Sequence, residues 1–564
     1  MNKPQSYDIK ITGGTIVDGT GTPGYRGDVG IKDGVVTALG EVAGDATQTI
    51  DATGKAVTPG FVDIHTHYDA QLIWDRMLTI SPWHGVTTAV IGNCGFGIAP
   101  TRNSQQNLII GTLEKVEGMS AAALTTGLGE KWPFETFPEY LDTIEKLGTA
   151  INIGVLVGHT PTRLYVMGEE ATEREATSDE IEQMRKIVDE ALDAGALGFA
   201  TSKSPTHVGF KGKPVPSRAA SYEEIDALAS TLQNRGAVMQ ATAGKELWFD
   251  EYAELTKKYG MTISWTAMLA GMITPDSHLM QMQRSAELAE QGLPIYPQVT
   301  PRTLFFEFQF KEPFPFESLS VFKPVSSADF EGKKRLYADA EFRAAVKDKM
   351  DNMRPSFRTS WENSAISFCP SNPDYEERLV VDLATELGVH TIDLGFDLAL
   401  ANDLDTRFRM PFANADENEV EKLLTDKNTV LGLSDAGAHA SQLCDACLPT
   451  YLLARWVREK QVLSFEEAIR MLTSRPAQVF GIKDRGLLEI GKPADVLVID
   501  PDTVNCGRLE RVHDQPAGQD RLISKASGME SVIVNGILLR QNNQDQLDPT
   551  GPLPGALLRN GQAA

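Results

Sequence analysis

Residues 58–68 read Thr58-Pro-Gly-Phe-Val-Asp-Ile-His-Thr-His-Tyr68: a Pro-Gly turn signal, a short apolar run and two histidines one residue apart. Side chains of an extended strand alternate between its faces, so His65 and His67 project from the same face and can converge on one ion. Taken alone, the pair is as readily two strand-end histidines as a metal site. The surrounding sequence decides between these readings.

Strand-like runs begin near Ala56, Thr87, Asn152, Ala196, Ala237, Thr262, Pro294 and Thr429. Amphipathic stretches separate them, such as Ser178 to Ala194 and Ser221 to Asn234, each opening on a serine able to cap free backbone N–H groups. Strand and helix in alternation predict a (β/α)8 TIM barrel of the α/β class over 58–483, with the two histidines ending its first strand. About 130 residues lie between the seventh and eighth runs, far more than a loop holds. They predict an insertion at about 300–425, which contains Phe305-Phe-Glu-Phe-Gln-Phe, Pro313-Phe-Pro-Phe and a helix-strand stretch near Val380 to Leu394, and which is expected to act as a lid over the barrel mouth. Residues 1–57 and 484–564 read as short strands and turns, with Asn535-Gly536 a tight hairpin signal. The two chain ends are expected to share a small β-sandwich domain.

The chain has 564 residues, 41% hydrophobic and 23% charged, ample for a large core. Its formal charge of −24 repels phosphate backbones and anionic headgroups, which argues against nucleic acid and membrane surfaces as partners. The N-terminus lacks the apolar run of a signal peptide, and no stretch is long enough to span a bilayer, so the cytoplasm is the expected compartment. Five cysteines, an odd number, fit reduced thiols better than a disulfide framework. Cys444-Asp-Ala-Cys447 spells Cys-X-X-Cys without a second pair and reads as packing near the site. Gly13-Gly14 and Gly92 to Gly97 match no nucleotide-binding fingerprint.

Four motifs, Thr58 to His67, Gly85-Val-Thr-Thr, Gly432-Leu-Ser-Asp and Gly491-Lys-Pro-Ala-Asp-Val, together resemble the amidohydrolase superfamily across the whole chain. Gly92-Asn-Cys-Gly-Phe-Gly, Val157-Gly-His-Thr, Val166-Met-Gly and Gly195-Ala-Leu-Gly-Phe-Ala-Thr resemble its N-acyl-D-amino-acid deacylase branch. Asp484-Arg-Gly-Leu-Leu-Glu-Ile-Gly-Lys-Pro-Ala-Asp fits the small β domain of such enzymes. The resemblance implies that Cys94 is a zinc ligand; a free cysteine by itself reads as a small buried residue, and the Gly-Asn-Cys-Gly setting after a strand favours the ligand instead. It also makes Asp435, at the end of the eighth strand, both a metal ligand and the catalytic base; a turn-capping aspartate is the plainer reading. One departure stands out. Deacylases of this branch contribute a histidine each from the fifth and sixth strands, whereas Gly236-Ala-Val-Met-Gln-Ala-Thr-Ala and Met261-Thr-Ile-Ser-Trp-Thr-Ala-Met contain none, and a crude alignment puts Ala241 and Ala267 at those positions. The expected site is therefore mononuclear: one Zn²⁺, or another divalent ion, on His65, His67, Asp435 and Cys94, with a coordination position open to water. The run Thr201-Ser-Lys-Ser-Pro-Thr-His207 resembles a longer subgroup that also lacks the two histidines.

Other candidates follow from the same comparison. Lys203 occupies the region where some amidohydrolases carry a carboxylated lysine; a salt-bridging or substrate-binding lysine is the favoured alternative. His159, His207 and His439 sit on strand-end loops, able to orient an acyl carbonyl, to complete a metal shell, or simply to hydrogen-bond; His439 shares a loop with Asp435. Tyr296, in Leu293-Pro-Ile-Tyr-Pro, matches a family tyrosine able to polarise the scissile carbonyl, and equally reads as a core aromatic. Arg302 is the candidate to grip a substrate carboxylate. The expected activity is metal-dependent cleavage of an amide C–N bond in a small-molecule N-acyl amino acid, of D configuration by resemblance. A cyclic amide, small peptide or lactone is the alternative substrate, and a catalytically silent barrel used for binding or assembly is the alternative of another class. A homo-oligomer is left open.

Overall fold

The computed structural model describes residues 6–317, 319–353 and 355–563. Eight short parallel strands form one sheet: β1 (Phe61–Asp63), β2 (Val86–Ile91), β3 (Asn152–Gly158), β4 (Gly198–Ser202), β5 (Val238–Thr242), β6 (Thr262–Thr266), β7 (Ile295–Val299) and β8 (Val430–Leu431), neighbours in that order. The sheet closes on itself just beyond the strand ends, where His67 N donates to Ala436 O at 2.8 Å and Ser434 Oγ donates to His65 O at 3.1 Å. Inward residues at period two, among them Val62, Ile64, Val90, Leu156, Ala200, Val238 and Val430, pack with Ala477, Val479, Phe480 and Ile482 into one apolar cluster inside the barrel. The crossover helices arise as their patterns require, with one correction. The helix Ser178–Asp193 is capped by Thr177, whose hydroxyl accepts from Glu180 N in a capping box, so Ser178 is the first helical residue and not the cap; Ser221 does cap Tyr222–Ala229.

The first expected strand divides between two sheets. Ala56–Pro59 pairs antiparallel with Val496–Ile499, and only after Gly60 does the chain enter the barrel. Ala56–Pro59 belongs to a nine-stranded sheet built from both chain ends, whose core includes Ile9, Ile11, Val29, Ile31, Val57, Val496, Val498 and Ile533. Asn535 and Gly536, with φ of 46° and 76°, form the expected tight turn between Met529–Val534 and Ile537–Gln541. The sheet of the chain ends thus takes in Ala56–Pro59, and the ribbon Asn505–Gln515 and Gln519–Ser527 forms a two-stranded sheet of its own. Residues 1–5 and 564 of the expected segments lie outside the described residues.

Residues 270–277 and 303–419 form a separate compact unit, close to the expected insertion but starting before β7. Strands Leu304–Gln309, Arg407–Ala413 and Ala365–Phe368 make an antiparallel sheet, and helices surround its aromatic core of Phe308, Phe310, Phe316, Trp361, Phe396 and Phe408. The helix-strand stretch expected near Val380 to Leu394 is two helices, Val380–Leu387 and Thr391–Ala401. Gly388, at φ 67°, ends the first, and the His390 side chain accepts from Ile392 N to start the second, so no strand forms between them. No helix among the described residues is long and apolar enough to cross a membrane.

At Gly60 a Cβ would meet Thr87 Oγ1 at 2.0 Å and Thr87 Cγ2 at 2.4 Å. Gly60→Ala is therefore expected to destabilise the protein by about 1–3 kcal/mol through overpacking. Denaturant unfolding checks this; an unchanged midpoint would contradict the close approach.

Candidate active site

The two histidines lie just beyond β1, each with one ring nitrogen facing a polar partner. His65 Nδ1 bonds Gln298 Oε1 at 2.7 Å, and Gln298 Nε2 donates to Ser264 Oγ at 3.0 Å, which fixes the amide so that its oxygen faces the imidazole. With Nδ1 carrying the proton, His65 Nε2 presents its lone pair to the barrel mouth. There it lies 3.4 Å from Cys94 Sγ and 3.2 Å from Asp435 Oδ1. His67 repeats the arrangement: Nδ1 faces Glu117 Oε1 at 3.5 Å and Nε2 faces Asp435 Oδ1 at 3.7 Å. The Gln298 amide oxygen sets the tautomer and orientation of His65, and Glu117 stands behind His67 in an ion-pair contact.

Cys94 follows β2 in a tight turn at φ 56°, and its backbone N–H donates to Gln240 Oε1 at 2.6 Å. Gln240 stands on β5 one residue before Ala241, and alternation along the strand turns Ala241 to the opposite face. The inward polar group at this level of β5 is thus Gln240, which holds the Cys94 turn. Donor atoms of His65, His67 and Cys94 all lie within 4.8 Å of one another, and all three residues are buried. Zinc bound at roughly 2.0–2.3 Å in a tetrahedron separates its donors by roughly 3.3–3.8 Å. The 3.4 Å between Cys94 Sγ and His65 Nε2 fits that donor set.

The electrostatics match a cation site. Burial raises the Cys94 thiol, but the charges and hydrogen bonds of His65 and His67 outweigh it and bring the pKa down to about 6. Burial likewise opposes ionisation of Asp435, yet its hydrogen bond to His67 and the charges of His65, His67 and His439 hold it well below the usual carboxylate range. Glu117 is pushed up to about 8 by burial, against the pull of His67. Asp63, which accepts from His65 N, and Asp69, which accepts from Gly92 N, are each raised to about 6 by burial. The Asp435 side chain retains 28% exposure while His65 has none, so solvent reaches the cluster from the Asp435 side.

His439, at φ 47° on the Asp435 loop, donates its backbone N–H to Glu117 O at 2.6 Å and packs over Gly118. His207 bonds Ser202 Oγ at 2.7 Å, and burial followed by the charges of His439 and His67 lowers it to about 3, so it lies at the site as a neutral ring. Four other expected residues do not reach the cluster. Tyr296 lies two residues before Gln298 on β7, among the barrel's apolar cluster with Arg475 over its ring at 4.6 Å, away from the mouth. His159 is wholly buried with both nitrogens spent, on Thr201 Oγ1 and Glu224 Oε1, each at 2.7 Å. Lys203 Nζ donates to Ala220 O at 2.6 Å and Arg218 O at 3.1 Å, pinning a loop. Arg302 is buried against Cys444 O, Cys447 Sγ and Asp445. Glu117, Gln298 and Gln240 were not among the expected residues. The glutamines left a trace, as polar residues inside otherwise apolar strands; Glu117, near the end of a helix, left none.

Such a barrel, with paired histidines, a cysteine and an aspartate at its mouth, is the architecture of metal-dependent hydrolases. The amidohydrolase family profile matches residues 48–315 and 340–538, and the chain belongs to this family: it is a metal-dependent hydrolase of carbon–nitrogen bonds other than peptide bonds. It is 29% identical to an uncharacterized protein of Mycobacterium bovis, over 89% of this chain and 86% of that one. It is 27% identical to the N-acyl-D-glutamate deacylase of Alcaligenes xylosoxydans xylosoxydans, over 98% and 97%. The crystal structure of N-acyl-D-glutamate deacylase from Bordetella bronchiseptica, complexed with zinc and a phosphonate mimic of the tetrahedral intermediate, superposes with a TM-score of 0.64 at 27% identity, covering 98% of this chain and 100% of that one.

Replacing the group behind either imidazole frees the ring without removing a donor. Glu117→Leu and Gln298→Met are each expected to weaken zinc affinity by about 10–100-fold. Calorimetric titration of the metal-free protein checks this, and wild-type affinity in both variants would contradict the assigned roles.

Proposed function

We propose that the protein hydrolyses N-acyl amino acids, with the D configuration preferred, using one zinc ion held by His65, His67, Cys94 and Asp435. The observation that carries the reading is the convergence of His65 Nε2, His67 Nε2 and Cys94 Sγ beside Asp435, with both Nδ1 atoms committed elsewhere. When bound, zinc supplies a Lewis acid that polarises the acyl carbonyl and eases ionisation of water. Asp435, ionised and part-exposed, accepts the proton of the attacking water at the carboxylate oxygen turned away from the two imidazoles and returns it to the leaving nitrogen, so the amine departs neutral. Cys94, lowered to about 6, enters the site as a thiolate and balances the ion's charge. Neutral His207, and His439 on the Asp435 loop, would hydrogen-bond the acyl group or the developing oxyanion. The substrate class rests on relatives that share nearly the full length of the chain and are named for N-acyl-D-amino acids.

Amino acid release from matched N-acyl-D and N-acyl-L substrates tests the reading, with the D series expected to be faster. Asp435→Asn is expected to lower kcat by about 10²–10⁴-fold while the protein remains folded. Full activity in that variant, or no hydrolysis of any N-acyl amino acid by zinc-loaded protein, would overturn it. Chelation is expected to abolish turnover and about one equivalent of zinc to restore it; activity that survives complete removal of metal would contradict the role given to the ion.

A further inference from the structure

The chain as a whole is strongly anionic, with a formal charge of −24, yet the segment that follows β4 is the reverse. From Lys203 to Ala220 it carries Lys203, Lys211, Lys213 and Arg218 and not one carboxylate. A basic segment beside the mouth of an acidic protein concentrates anions there. Its four cations are not equally available. Lys203 Nζ donates to Arg218 O at 3.1 Å and to Ala220 O at 2.6 Å, Lys213 Nζ pairs with Glu173 Oε1 at 2.6 Å, and the exposed Lys211 rests its ammonium 5.0 Å from the centroid of the Phe210 ring. Arg218 differs from them. It is part-buried, its Nη1 donates to His207 O at 3.1 Å, and among the described residues no carboxylate stands within ion-pair distance of it. A guanidinium has a planar fork of donors suited to a carboxylate, and the fold leaves most of that fork without a protein acceptor.

The backbone around Arg218 is tied to the mouth end of the barrel. Ser217 Oγ donates to the carbonyl of Ser202, the last residue of β4, at 2.8 Å, and Lys203 holds the Arg218 carbonyl itself. His207, whose carbonyl receives the guanidinium, sets its ring against Ser202 Oγ at 2.7 Å and against Phe96, with 5.1 Å between ring centroids. Phe96 lies two residues after Cys94. The Cys94 turn rests on β4 as well, since a Cβ on Gly95 would meet Ala200 O and Thr201 Cα, each at 2.8 Å. Contacts through His207 and Phe96 therefore link the guanidinium to the metal cluster. In an N-acyl amino acid the carboxylate shares its Cα with the amide nitrogen, so with the acyl carbonyl at the ion the carboxylate falls just outside the donor set, among the side chains that ring it. Arg302 does not serve there, being buried against Asp445 and the Cys444 carbonyl.

We propose that Arg218 binds the α-carboxylate of the N-acyl amino acid and that Lys203 is its positioning residue, so that the segment after β4 selects substrates with a free carboxylate. The inference rests on the deacylase function proposed above and names the residue that reads the amino-acid half of the substrate. The bound carboxylate gives the part-buried guanidinium the anionic partner that folding withholds.

Matched N-acyl-D-amino acids and their primary carboxamides, which differ in that one charge, are compared as substrates of the zinc-loaded protein. The unaltered protein is expected to favour the acid in kcat/KM. Arg218→Gln is expected to raise KM for the acid by about 10–100-fold with a smaller change in kcat, so that the preference for acid over carboxamide falls by about the same factor. Arg218→Lys, which keeps the charge and loses the fork, is expected to fall between the two. A merely structural role would slow acid and carboxamide together. Equal losses on both substrates, or an unchanged KM for the acid in Arg218→Gln, would overturn the assignment while the deacylase function stands; an unaltered protein that turns over neither substrate would overturn both.

Discussion

The site depends on two buried imidazoles that are denied any choice of orientation. A histidine can present either ring nitrogen, and inside a barrel its tautomer follows whatever faces the other one. Gln298 holds Nδ1 of His65 and Glu117 faces Nδ1 of His67, so both Nε2 atoms face Asp435, that of His65 beside Cys94 as well. The choice propagates inward: Gln298 is itself fixed by Ser264, and Gln240 secures the strained turn that carries Cys94. The barrel supplies more than a rim for loops, since three of its interior strands hold the ligands in register.

That support also accounts for how the chain does without histidines on the fifth and sixth strands. At the level where β5 and β6 face inward they carry Gln240, Ser264 and Thr266, neutral hydrogen-bonding groups that orient other residues and offer no competing donor to a soft cation. The donors that remain come from β1, β2 and β8. Closure of the sheet through His67 N to Ala436 O brings the first and last of these together, so the metal cluster and the seam of the barrel are the same place.

Much of this was legible in the chain itself, for reasons that are local. His65 and His67 share a strand face because of period two, and each barrel strand is a short apolar run bounded by turn residues; these signals do not depend on distant partners. What escaped depends on them. Glu117 matters only because the helix Gln106–Val116 ends beside His67, and no spacing in sequence encodes that. Tyr296 depends on height along its strand: two residues before Gln298, at about 3.3 Å per residue, it stands well below it, part-buried against the barrel's apolar cluster. His159, Lys203 and Arg302 occupy loop positions that look functional, yet each is consumed by buried partners, which only the fold reveals.

A single ion with one sulfur ligand has a distinct signature in X-ray absorption at the zinc edge. About one zinc per chain is expected, with one sulfur at about 2.3 Å and the remaining shell of nitrogen and oxygen at about 2.0–2.2 Å. The sulfur shell should be lost in Cys94→Ser. A spectrum without sulfur in the unaltered protein, or two ions per chain with a zinc–zinc scattering path, would contradict it.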